Sequence, residues 1–129
     1  MLNLLIKNNI TPIFCAITHD NHGQLLNTNA DTIASELAIA FSANYHVELY
    51  YCFEKKGVLK SIDNENSVIT TITTNNYKTL INQQVITEGM IPKLDNCFHA
   101  LKHSVHKVCI GLPEMLFDTT IPHTSIQEL

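Results

Sequence analysis

Positive charge is scarce in this chain: 8 basic residues stand against 12 acidic ones, for a net charge of -4 across 129 residues. With no basic stripe to neutralise a phosphate backbone and no cluster suited to an anionic membrane surface, nucleic-acid and membrane partners are not expected. Long apolar runs are missing too, and none approaches the ~20 residues of a membrane span. The apolar start at Met1–Ile6 soon meets Lys7, Asn8 and Asn9. That is too short and too polar for a secretory signal, so the expected address is cytoplasmic. Glycine occurs only at Gly23, Gly57, Gly89 and Gly111, never in a phosphate-cradling cluster. The four cysteines, Cys15, Cys52, Cys97 and Cys109, form no C-x-x-C pair, which argues against a disulfide frame or zinc ribbon. Lying in apolar stretches, they read as small buried hydrophobes.

The chain is 45% hydrophobic, and its length fits one domain over residues 1–129. Leu2–Asn9 reads as a short helix. The apolar run Ile13–Ile17 has the length and flanks of a buried strand. The polar cluster from Thr18 to Gly23, followed by Gln24-Leu25-Leu26, reads as a hairpin tip. From Ala30 to Phe41, apolar residues at Ala30, Ile33, Ala34, Leu37, Ala38 and Phe41 recur at helical spacing, with Asn29 as N-cap and Asp31 in the first turn. Val47–Phe53, rich in β-branched and aromatic residues, reads as a second strand. Asp63–Ser67 reads as a polar surface loop, Thr74–Gln84 and Met90–Ser104 as helices, and Lys107–Ile110 as another strand. No clear period appears beyond Leu112. Strands alternating with helices predict an α/β fold with a mostly parallel sheet flanked by helices.

Two segments draw attention chemically. Asn27-Thr28-Asn29-Ala30-Asp31 ends a strand-like run and enters a helix, which is where ligands bind in open α/β sheets. The plainer reading is a hairpin exit and a cap. Thr87-Glu88-Gly89-Met90-Ile91-Pro92-Lys93 sets a glycine, a helix-starting proline and a lysine in one turn, an arrangement suited to phosphate. Its plainer reading is a solvated surface lysine.

Together and in this order, the two segments resemble the acetylglutamate kinases. Asn27–Asp31 (NTNAD) is similar to that family's NxNAD, Gly89–Lys93 (GMIPK) to its GGMIPK, and Lys56-Gly57-Val58-Leu59 to the tail of its TDVxGVL. The likeness runs from about Leu4 to Ile110. It implies the C-terminal, nucleotide-binding half of the amino-acid kinase three-layer αβα sandwich, using ATP with Mg²⁺ and an N-acylated glutamate. Position by position, it implies that Asn27 contacts the acylated substrate, Asp31 organises the catalytic lysines and Lys93 stabilises the transferring phosphoryl group. Glu54, Lys55, Lys56, Gly57, Val58 and Leu59, with Val85, Ile86, Thr87, Gly89 and Met90, would border the nucleotide. The implied reaction carries the γ-phosphoryl group to a side-chain carboxylate, a step of arginine biosynthesis.

The chain also departs from that pattern. Phe53 and Glu54 stand where the family has a hydroxyl residue and an aspartate, and His123-Thr124 replaces a closing glycine-threonine pair. The family's opening lysine-glycine-glycine stretch and second glycine loop have no counterpart, so a fragment or split gene product, inefficient as a kinase alone, is the expectation. The missing half is then a natural partner. A non-catalytic half-domain that binds nucleotide or a partner is the alternative. A zinc site at His99 and His103, four apart on a predicted helix with His106 and Cys109 following, lacks a strong third ligand at a known spacing, and no metal site is expected.

Overall fold

The structure, a computed structural model, describes residues 1–128. Helix α1 (Leu2–Lys7) leads to a hairpin of β1 (Ile17–His19) and β2 (Leu25–Asn27), then α2 (Ala30–Ser42) and β3 (Glu48–Cys52). After a long loop come β4 (Thr71–Thr73), α3 (Thr74–Asn82), α4 (Ile91–Lys102), β5 (Lys107–Gly111), a 3-10 turn at Pro113–Leu116, and β6 (Thr124–Gln127). The main sheet has the order β3-β5-β6-β4. Its β3–β5 and β4–β6 pairs are parallel and only β5–β6 is antiparallel, so the α/β fold with a mostly parallel, helix-flanked sheet stands as expected.

Strand β5 lies inside the sheet, and its Val108, Cys109 and Ile110 are fully buried. Burial on both faces explains why that stretch reads as an unbroken apolar run. Alternation along β3 and β5 sends Leu49, Tyr51, Val108 and Ile110 into the core shared with the helices. It turns Glu48, Tyr50 and Lys107 the other way, where the Tyr50 hydroxyl donates to Glu48 and accepts from Lys107 Nζ (3.1 Å). The Tyr50 hydrogen bond, helped by the Lys107 charge, holds the Glu48 carboxyl below its usual pKa.

Helix α2 starts where the sequence says it should, because the Asn29 side chain accepts from the backbone N–H of Asp31 (2.8 Å) and Thr32 (3.2 Å). Its buried Ser35 and Ala38 pack toward α4, whose inner face carries Cys97 and Ala100. Small side chains let the two helices approach closely. The contact is keyed by Ser35 Oγ donating to the Asn96 carbonyl (3.2 Å) and Asn96 Nδ2 donating to Thr32 Oγ1 (3.3 Å).

Three expectations are corrected. Ile13–Ile17 is not a buried strand: only Ile17 joins β1, and Ile13 is 93% exposed. An apolar run forms a buried strand only when a sheet receives it, and β1 pairs with β2 alone. Cys15 and Cys52 are exposed rather than buried, while Cys97 and Cys109 are enclosed as expected. The tail beyond Leu112, which shows no period, holds the 3-10 turn and β6, and β4 went unread as well. No helix among the described residues is long and apolar enough to cross a membrane.

Thr124, at the head of β6, ties the sheet to the loop after β3. Its fully buried hydroxyl donates to the Ile69 carbonyl (2.7 Å) and accepts from the Val58 N–H (2.8 Å). A Cβ on Gly57 would lie 2.6 Å from that same oxygen, so the loop passes there only as glycine. Thr124→Val keeps the shape and strands both backbone groups, for an expected loss of about 2–4 kcal/mol in urea unfolding. A loss no larger than that of an ordinary surface substitution, about 0.5 kcal/mol, would count against this reading. Thiol titration provides a second check: Cys15 and Cys52 should react in the native protein, and Cys97 and Cys109 only after denaturation, since burial also pushes both of their thiols up in pKa.

Candidate functional site

Two helices begin side by side at the carboxyl edge of β3 and β5. Asp31 is the second residue of α2 and Lys93 the third of α4. Their packing brings Lys93 Nζ to 2.6 Å from Asp31 Oδ2, and both side chains keep some solvent contact, at 19% and 29% exposure. The two positions differ electrostatically. An acid in the first turn of a helix complements the positive end of the macrodipole, whereas a lysine there opposes it. Lys93 is nonetheless held in the first turn of α4, a helix with no capping side chain. Asp31 neutralises it.

Strand β3 completes the cluster. The Tyr51 ring lies under the Lys93 ammonium, 4.9 Å from Nζ to the ring centre, and its hydroxyl donates to the Asp31 carbonyl (2.9 Å). Tyr51 is 5% exposed, and burial raises its phenol pKa well above the ordinary value, so the hydroxyl stays a donor. Cys97, one turn along α4 from Lys93, is a buried neutral thiol in the adjoining core.

Next to this cluster opens a cleft of about 330 Å³, lined by Phe53, Lys55, Gly57, Val58, Leu59, Lys60, Ile62, Gln84, Val85, Thr87 and Met90. That size lies at the lower end of small-molecule sites. Phe53 directly follows β3 and Met90 is the N-cap of α4, so the cleft adjoins the elements that carry Tyr51 and Lys93.

The structure thus brings together Lys55, Gly57, Val58, Leu59, Val85, Thr87 and Met90, seven of the eleven residues assigned to the nucleotide, and separates the rest. Glu54 and Lys56 turn into a smaller hollow with Lys55, Leu59, Glu65 and Leu112, and the Lys56 ammonium donates to Asn66 (3.1 Å). Ile86 is 3% exposed and belongs to the core beneath the cleft. Gly89 lies outside the lining. Asn27 ends β2 opposite Ile17, exposed, with no hydrogen bond to the Asp31–Lys93 pair. Tyr51, Lys60, Ile62 and Gln84 escaped sequence reasoning. A tyrosine inside an apolar strand reads as core, and the other three carry no motif.

The histidines meet only in pairs, the His99 and His103 ring centres lying 4.4 Å apart. His99 Nε2 lies 3.2 Å from Glu36, and His103 Nδ1 donates to the His99 carbonyl (2.8 Å). His106 stacks instead on His46, and no group of three or more potential metal ligands occurs among the described residues.

With this geometry in view, the relationships of the chain can be placed. Residues 1–111 match the amino acid kinase family, and the chain belongs to it. Over 114 residues it is 48% identical to the acetylglutamate kinase of Cytophaga hutchinsonii, and over 111 residues 48% identical to that of Phocaeicola vulgatus. Those alignments cover 88% and 86% of this chain but 43% of each relative, so the chain spans less than half their length. Among solved structures, a Streptococcus mutans protein superposes with a TM-score of 0.73 at 30% identity, over 85% of this chain and 42% of that one. The N-acetylglutamate synthase of Neisseria gonorrhoeae, solved with coenzyme A and L-arginine, gives a TM-score of 0.79 over 97% of this chain and 29% of its own. At 18% identity, that likeness concerns the fold alone.

The ion pair can be weighed directly. In a double-mutant cycle of Asp31→Asn and Lys93→Met, urea unfolding should give a coupling of about 1–2 kcal/mol, above that of a solvent-exposed pair because both groups are mostly shielded. A coupling indistinguishable from zero would show the pair to be incidental.

Proposed function

We propose that this chain forms the nucleotide-binding and phosphoryl-stabilising half of an acetylglutamate kinase, a cytoplasmic enzyme of arginine biosynthesis. In that reaction the γ-phosphoryl group of ATP passes to the side-chain carboxylate of an N-acylated glutamate. The observation that carries the reading is Lys93. Its ammonium is held by Asp31 against the dipole of its own helix, beside a cleft lined by Lys55, Gly57, Val58, Leu59, Val85, Thr87 and Met90. Kinases named for this activity share 48% of their aligned residues with the chain.

The chemistry follows from the residues. A phosphoryl group in transfer carries charge on three equatorial oxygens and needs alignment and neutralisation more than a protein nucleophile. On this reading Lys93 meets that charge, and Asp31 holds the ammonium in one place. The acceptor is a carboxylate, ionised at neutral pH, so no general base is required. The nucleotide would occupy the cleft with its phosphates toward the first turn of α4, whose backbone N–H groups favour anions. Asn27, four residues before Asp31, would face the acylated amino acid.

The residues present do not build a resident Mg²⁺ site. No three potential ligands converge among the described residues, and Asp31 is engaged by Lys93. Mg²⁺ enters this proposal as part of the substrate MgATP, carried on the phosphates. A lysine-glycine-glycine loop and a second glycine loop would come from outside the 129 residues.

In an enzyme uniting these residues with those loops, Lys93→Ala should lower kcat by ~10²-fold or more and leave the KM for ATP nearly unchanged, as loss of a contact made in the transition state does. Normal turnover by that variant would rule the assignment out.

A further inference from the structure

We propose that Tyr51 is a positioning residue for Lys93: its ring supports the ammonium from below while its hydroxyl fixes the turn that carries Asp31. The inference rests on the functional reading above only for its catalytic consequence. The geometry stands apart from it.

Lysine reaches its target on a flexible stem, and a single carboxylate partner sets the distance of the ammonium without setting its direction. A second partner on another element removes that freedom. Here the partner is the Tyr51 face, at 4.9 Å, within the ~6 Å range where a ring quadrupole attracts a cation. With the ring on one side and Asp31 on another, two directions of the ammonium are fixed, and the side chain keeps 19% exposure through which its remaining N–H groups can reach a ligand.

The ring is itself immobile. Tyr51 belongs to β3, which is paired along its length with β5, and it is almost wholly buried. Its hydroxyl donates to the Asp31 carbonyl, so the residue that supports the lysine also anchors the backbone of the lysine's counterion. A backbone carbonyl has two lone pairs, which lets Asp31 accept this bond as well as an intrahelical one. One strand residue thereby joins the first turns of α2 and α4. Leucine in its place would fill the core but would neither attract a cation nor hold the turn.

Proton NMR of the chain reads the contact without turnover. In the unsubstituted protein, the ε-methylene of Lys93, assigned by its loss in Lys93→Arg, should be displaced upfield of the other lysines by the ring current. Tyr51→Phe should keep that displacement and Tyr51→Leu abolish it. A Lys93 resonance indistinguishable from those of exposed lysines in the unsubstituted protein overturns the proposal, whether or not Tyr51→Leu folds. In the active enzyme, Tyr51→Leu should lower kcat about tenfold with the ATP KM little changed, the size expected of one shielded cation–π contact. Tyr51→Phe should recover most of that loss. Unaltered kcat in a folded Tyr51→Leu enzyme, where Lys93→Ala is severely impaired, overturns the positioning role alone. Full turnover by Lys93→Ala, together with an upfield Lys93 signal in the unsubstituted protein, overturns the functional reading and leaves the contact standing.

Discussion

The Asp31–Lys93 ion pair is the constraint around which this structure is arranged. Two helix N-termini, each an accumulation of positive partial charge, are brought together at one edge of the sheet, and such ends repel unless something negative lies between them. Asn29 satisfies two N–H groups of α2, and Asp31 supplies the charge. The approach depends on the small residues Ser35, Ala38, Cys97 and Ala100 between the helices. Larger side chains there would part α2 from α4 and separate the pair. Lys93 is the discordant member, since it adds positive charge where the dipole already has it. Folding alone would be better served by an acid at that position, and the broken local rule is the physical ground on which the proposed role of Lys93 rests.

What could be read from the sequence depended on the range of the interaction. Helix α2 was legible because its apolar spacing, its Asn29 cap and its acidic first turn all lie within one stretch. The hairpin was legible from its polar tip ending in Gly23, which takes φ +96 while Asp20 Oδ1 accepts from the N–H of His22 and Gln24. The pairing of Asp31 with Lys93 spans 62 residues, so no local pattern could show it. Spacing alone left each residue as a cap or a surface lysine, and it was the two motifs in order that suggested they belong to one site. Strands β4 and β6 were hidden for another reason. They are short and rich in hydroxyl residues, and Thr73 and Thr124 are buried by hydrogen bonds rather than by apolarity. Ile13–Ile17 is the opposite case: its composition is apolar, but burial needs a partner, and only Ile17 finds one, in β2.

Thr124 shows how remote parts of the chain bear on the cleft. Its single hydroxyl holds Val58, a lining residue, and Ile69, at the other end of the loop after β3. Gly57 must lie against that oxygen for the loop to close. The floor of the cleft is therefore set by a residue at the far end of the chain. Where the sequence departs from the family it resembles, at His123, it retains the threonine beside it. A hydroxyl that satisfies two buried backbone groups is harder to replace than the residue preceding it.

The four glycines limit the ways in which these residues could hold a phosphate on the proposed reading. Gly23 turns the hairpin, Gly57 packs against Thr124, and Gly111 is hemmed in by Met115, His123 and the Lys56 carbonyl. All three are spent on turning or close packing. Gly23 and Gly89 both have open space around the position of a missing Cβ, but Gly23 is held at φ +96 in the hairpin turn, and Gly89 is the one that precedes the uncapped helix carrying Lys93. A backbone cradle needs several free N–H groups in succession, which one such glycine cannot supply. The sequence has no arginine, so every permanent side-chain cation is a lysine, a mobile point charge without a planar fork. On the proposed reading, ground-state anion binding here falls to the first turn of α4 and the cleft lysines Lys55 and Lys60, while Lys93 meets the charge that develops in transfer. For such flexible groups, alignment must come from what holds them, and that is why Asp31 and Tyr51 matter as much as the charge they position.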